Sequence, residues 1–147
     1  MRRFACVAVV WLLLAGQALA QFATGRILLQ NAAAANGNGT AASTAGYSMI
    51  GLQIVVPTGA SPTYTINFEQ SLNENHYVAA LCLPSTNADP ASSAATTGVW
   101  RCNVSGTSSF RARVSGYTGP GAVTVIGLLM AGGAVHAVGA MAWEVFG

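Results

Sequence analysis

The sequence contains no lysine, and charged residues make up only 7% of its 147 positions. A chain this poor in cations lacks the basic footprint that neutralises nucleic-acid phosphates, so no nucleic-acid partner is expected. It also lacks the mutual repulsion that keeps soluble proteins apart, so self-association or packing against another structural subunit is expected. Three cysteines and two histidines are few and widely spaced. They show no metal-ligand spacing, and neither a metal nor a cofactor is expected.

Catalytic patterns are missing too. There is no Gly-x-Ser-x-Gly elbow, and no glycine loop follows a strand to open a helix and cradle a phosphate. His76 and His136 stand apart from acidic or cysteine partners in any familiar order. Glu69 and Glu74 are the nearest thing to a glycosidase pair. However, Glu69 falls on the polar face of a strand and Glu74 in a turn, where both are solvated. The chain is therefore not expected to be an enzyme.

What is present begins with Met1-Arg2-Arg3, followed by an apolar run from Phe4 to Ala15 and the small residues Ala18-Leu19-Ala20. This is the three-part layout of a secretory signal peptide, with cleavage expected after Ala20. The apolar run is short for a membrane span and no second one follows, so no stable span is expected after cleavage. Loss of residues 1–20 removes Arg2 and Arg3 and takes the formal charge from +2 to zero. The expected location is secreted or periplasmic. Cys82 and Cys102 survive cleavage, and in an exported chain an isolated pair of cysteines is expected to form a disulfide.

Residues 21–46 are small and polar, with Ile27-Leu28-Leu29 as one short apolar run, and read as a flexible N-terminal arm with an edge strand at most. From residue 47 the period becomes two. Ile50, Leu52, Ile54 and Val56 share one face of a strand, as do Tyr64, Ile66 and Phe68 of the next. His76–Leu83 reads as a third strand, and 84–97 as a long loop with no apolar anchor. Val99–Val104 and Ser108–Ser115 follow, with Phe110, Ala112 and Val114 inward and Arg111 and Arg113 outward. Ala122–Met130 is apolar on both faces, the mark of a central or doubly covered strand. The tail 131–147 is apolar and interrupted by glycine. Short strands at this spacing, joined by Gly/Pro turns, predict an all-β, antiparallel β-sandwich, jelly-roll-like, over residues 47–147.

Two segments carry a resemblance. Ile66–Leu81 (INFEQSLNENHYVAAL) is similar to a pattern of Phe-Glu-Gly-Ser, an Asp-Gly turn and Asn-Trp-Val-Ala-Leu. Residues 98–125 match its continuation at Gly98, Trp100, Arg101, Val104 and Gly106, then at Arg111, Arg113 and Val114. The match goes on at Gly116, Tyr117, Thr118 and Gly121, and ends at Val123, Thr124 and Val125. The chain resembles the small β-sandwich proteins of tailed phages and prophages over roughly residues 50–130. Gln70, Asn73-Glu74 and Tyr77 stand where that pattern has Gly, Asp-Gly and Trp. The resemblance implies a structural or tail-associated module, placed in a virion if phage-encoded. The export signal points instead to an exported bacterial binding domain for glycan or a cell-surface ligand.

Candidate ligand-binding residues are Arg111 and Arg113, which project from one strand face, with Arg101, Trp100 and Tyr117. Guanidinium pairs suit carboxylated or sulfated glycans, and Trp100, Tyr117 and Tyr77 are sugar-stacking candidates. The structural alternative has the arginines pairing with Glu69 and the aromatics in the core. Trp143 and Phe146 are candidates for a subunit interface.

Overall fold

The computed structural model describes residues 25–86 and 89–131. The expected signal peptide and the interface candidates Trp143 and Phe146 lie outside the described residues. Eleven strands appear among the described residues, in chain order. They are β1 (Arg26–Ala33), β2 (Gly37–Asn38), β3 (Ala42–Ser43), β4 (Met49–Val55), β5 (Thr63–Ser71) and β6 (Val78–Ala79). The remainder are β7 (Cys82–Pro84), β8 (Ser93–Ala94), β9 (Gly98–Asn103), β10 (Ser109–Thr118) and β11 (Val123–Met130).

Two antiparallel sheets pack face to face as a β-sandwich. Sheet A runs β1-β11-β4-β9-β7, and sheet B runs β2-β10-β5-β6, with β3 added to β10 and β8 to β5. The predicted alternation is realised: Ile50, Leu52 and Ile54 of β4 meet Tyr64, Ile66 and Phe68 of β5 and Phe110, Ala112 and Val114 of β10 in one buried core. A fully buried Leu, Ile, Val or Phe contributes roughly 1.5–3 kcal/mol, so these inward stripes set the register. Burial also pushes the Tyr64 phenol above its ordinary pKa.

The segment read as a flexible arm is corrected by the structure over its described part. β1 pairs with β11, while β2 and β3 pair with β10, so residues 26–43 tie the two sheets together. Composition misled because little apolar side chain is needed here. The register of β1 shifts between Leu28 and Gln30, which turns both Leu29 and Gln30 inward. Gln30 Nε2 then donates to Ala112 O of the opposite sheet at 2.8 Å. Gly39 passes between the sheets: its N–H donates to Ala112 O at 3.0 Å, and Thr40 N–H donates to Leu29 O at 2.9 Å. A Cβ at position 39 would overlap both of those carbonyl oxygens, so only glycine fits.

Two further expectations change. His76–Leu83 is two strands rather than one, because the chain leaves sheet B for sheet A at Ala80–Leu81 and exchanges partners. Loop 84–97 is anchored after all. Ala91 exchanges backbone hydrogen bonds with Cys82, and β8 pairs with β5 and buries Ala94. The apolar outer face of β11 is a third finding. Its inner face (Val123, Val125, Leu129) is buried, but Leu128 on the outer face stays 39% exposed, with no second layer over it among the described residues.

Candidate functional site

The polar candidates on sheet B follow from register. Arg111 lies opposite Glu69, and Arg113 opposite Asn67. Strand alternation therefore places both guanidinium groups on the outer face, with one carboxylate between them. Arg111 Nε donates to Glu69 Oε2 and Arg113 Nε to Glu69 Oε1, each at 2.7 Å. The Arg111 guanidinium lies 3.8 Å from the centre of the Tyr77 ring, a cation–π contact. The Tyr77 hydroxyl is 3.0 Å from Ser109 Oγ. Asn67 Nδ2 donates to Ser115 Oγ at 2.7 Å and to Arg113 O at 3.2 Å.

This cluster is electrostatically coherent. Partial burial by itself pushes the Glu69 carboxyl up. The hydrogen bonds from Arg113 and Arg111, reinforced by their charges, outweigh it and hold the carboxyl below its ordinary value. Glu69 thus neutralises one of two cations. One net positive charge remains on the pair, and Arg113 is the more solvent-facing of the two, its side chain 39% exposed against 21% for Arg111.

The other candidates are elsewhere. Arg101 projects from the outer face of sheet A, on the opposite side of the sandwich. Trp100 points inward and packs on Phe68, ring centres 5.2 Å apart and planes tilted by 53°. Tyr117 closes the end of β10: its N–H donates to Asn36 Oδ1 at 2.7 Å, and its hydroxyl donates to Gly121 O. A register shift after Ser115 places Gly116 at φ 61°, the left-handed residue of a bulge that turns this end of the strand. The ligand candidates are thus split between two outer faces, the core and one end. Cys82 and Cys102 are joined by a disulfide and fully buried. Glu74 and His76 sit exposed in the β5–β6 turn, His76 Nδ1 being 3.3 Å from Asn73 Nδ2.

Two surface features were not singled out from the sequence. The first is a trough of about 720 Å³ on the outer face of sheet A. One row of paired residues crosses all five strands: Arg26, Leu128, Gly51, Arg101 and Leu83. Gly51 leaves the floor low between Leu128 and Arg101, and Met49 and Met130 close one end. The apolar outer face of β11 was the available signal. The second is a rim on the segment 72–81, where Leu72 is 76% exposed, Leu81 68% and Val78 61%. Leu72 and Val78 border a smaller hollow of about 360 Å³ beside the two-residue edge strand β6. Alternation alone cannot show these side chains as exposed, because the break between β6 and β7 decides it.

No protein-family model matches the sequence, and no curated protein matches it. Two solved structures share the fold. One is the SPBc2 prophage-derived protein YomS, with a TM-score of 0.64 at 19% identity, covering 72% of this chain and 91% of that one. The other is the PBSX exported protein XepA, with a TM-score of 0.66 at 17% identity, covering 72% of this chain and 37% of that one. This chain therefore spans little more than a third of XepA. At these identities the likeness is one of fold.

Proposed function

We propose that this chain is a non-enzymatic structural module of phage or prophage type, exported from the cell, that packs against copies of itself or another structural subunit. The observation that carries this reading is the rim on 72–81. Three of the most exposed apolar side chains lie on one segment beside an open edge strand, which is what a neighbouring subunit covers. The fold supports the context, since one protein sharing it is prophage-derived and the other exported. The scatter of the ligand candidates also favours a scaffold over a cleft. The most concentrated of them, Arg111 and Arg113, are largely engaged by Glu69.

Static light scattering on the mature chain over a concentration series tests this. An apparent mass that climbs with concentration is expected. A monomer mass throughout, together with retention on a sulfated or carboxylated glycan panel that Arg113→Ala abolishes, would favour the exported glycan-binding alternative instead.

A further inference from the structure

The outer face of sheet A is the least explained surface of the molecule. Leu28, Met49, Leu83, Val99 and Leu128 all remain more than a third exposed there. Next to the row that carries Arg26, Gly51 and Arg101 lies a second row of Leu28, Ile126, Gln53 and Val99. The missing side chain at Gly51 makes the face concave, and the trough of about 720 Å³ falls within the range of small-molecule sites, ~300–1,000 Å³. Arg26 and Arg101 line it, and neither has an acidic partner among the described residues. They stand in one row three strand spacings apart, about 14 Å between backbones, so an anion above Leu128 and Gly51 is within reach of both.

We propose that this trough binds one molecule of a single-chain amphiphile with an anionic head group. The head is held between Arg26 and Arg101, and the alkyl chain lies over Leu128, Ile126 and Val99. Charge complementarity carries the head. The strands of sheet A bring two arginines and no aspartate or glutamate to this face. Guanidinium forks grip a carboxylate, phosphate or sulfate through paired N–H donors. The floor carries the chain. Full burial of a methylene strengthens binding about fourfold, and half-burial in an open trough about twofold.

The geometry disfavours other occupants. β11, β4 and β9 are each paired on both sides, so the floor offers no backbone groups to a partner. A peptide laid there would lose water from its own N–H and C=O groups without replacement, whereas an alkyl chain has none to satisfy. A second copy packed face to face would set four arginines together, with no acid from the strands of either sheet A. A flat bilayer would leave the concavity over Gly51 unfilled. The proposal does not rest on the assembly reading, which concerns the rim on 72–81: that reading is tested by mass, and this one by ligand binding.

The test titrates the full chain with octanoate, decanoate and dodecanoate, each below its micelle concentration, and follows methyl and amide NMR signals. Saturable shifts at the Met49 and Met130 methyl groups and the Gly51 amide are expected, with affinity rising about fourfold for each two methylenes added. Arg26→Gln and Arg101→Gln are each expected to weaken dodecanoate about fivefold. Gly51→Leu fills the trough and is expected to weaken it at least about tenfold. Its new Cβ meets only Met130 Cε at 3.4 Å and Leu128 O at 3.9 Å, so the sandwich is retained. Acetate and dodecyltrimethylammonium, the head alone and the chain with the opposite charge, should leave those signals unmoved at the same concentrations. Shifts confined to sheet B or the rim, a lack of saturation, or equal binding of the cationic amphiphile would overturn the proposal. So would unchanged affinity in both arginine variants, or in Gly51→Leu with the circular dichroism of the parent. Binding to phosphatidylglycerol vesicles without binding of dodecanoate would overturn it in favour of a bilayer. Tighter binding of an N-acetyl Leu-Glu-Leu amide than of dodecanoate would overturn it in favour of an acidic peptide.

Discussion

Breaking the Cys82–Cys102 bond is the perturbation whose magnitude the structure defines best. The two residues face each other across the β7–β9 pair, and the bridge closes a loop of sequence separation 20. The loop-entropy relation assigns such a crosslink ~3 kcal/mol, acting through the unfolded chain. Reduction isolates this effect, because both sulfurs stay in the molecule and their packing among core residues is retained. The cost also has a location. β7 is the three-residue edge of sheet A, held by β9 on one side and by a single bridge from Cys82 to Ala91 on the other, so its attachment weakens first. The assay is urea unfolding of oxidised protein against protein refolded and kept under reductant. With slopes of about 1–3 kcal/mol per molar urea, the midpoint is expected to fall by roughly 1–3 M. Hydrogen exchange should show the Cys82 and Ser85 amides, bonded to Ala91 O and Val99 O, losing protection before those of β4 and β11. Equal midpoints in the two forms would refute the reasoning.

Other outcomes follow from the same geometry. Gly39→Ala is expected to destabilise by about 2–3 kcal/mol or more, since the methyl group would overlap Leu29 O and Ala112 O; thermal unfolding measures it. Glu69→Gln leaves two partly exposed guanidinium groups without their shared anion and is expected to cost about 1–2 kcal/mol by denaturant titration. The pH dependence of that cluster has a definite sign. The folded Glu69 carboxyl titrates below its ordinary value, so the folded state binds fewer protons and the stabilisation is complete above the unfolded value, about 4.3. It is lost as pH falls through the lower folded value, and the acid limb of the stability profile should flatten in Glu69→Gln.

The central strands were legible because one physical rule governs them. β4, β5 and β10 each bury one face and wet the other, and the period of two records this directly. The arm was misread because β1–β3 are held by backbone hydrogen bonds, two bulges and the absence of a side chain at Gly39, none of which leaves an apolar period. The turn from β6 to β7 was hidden for a related reason. Tyr77–Leu83 alternates as one strand, while the chain changes sheets in the middle and leaves Leu81 and Leu83 facing solvent. At the site, Glu69 with Arg111 and Arg113 could be anticipated from outward-facing positions on strands that come to pair. That Trp100 and Arg101, adjacent in sequence, point to opposite sides of sheet A follows from alternation; which side is buried follows only from the opposite sheet. The apolar outer face of β11 remains the one place where the pattern calls for a covering layer that the described residues do not supply.

Sedimentation velocity on residues 21–147 and on a Leu72→Glu/Val78→Glu double variant of them tests the assembly reading most directly. Both positions are solvent-facing, so the variant should fold as the parent does. The account expects the parent's sedimentation coefficient to rise with concentration and the variant to remain a monomer across the same range. Identical behaviour of the two proteins, whether both associate or neither does, would contradict it.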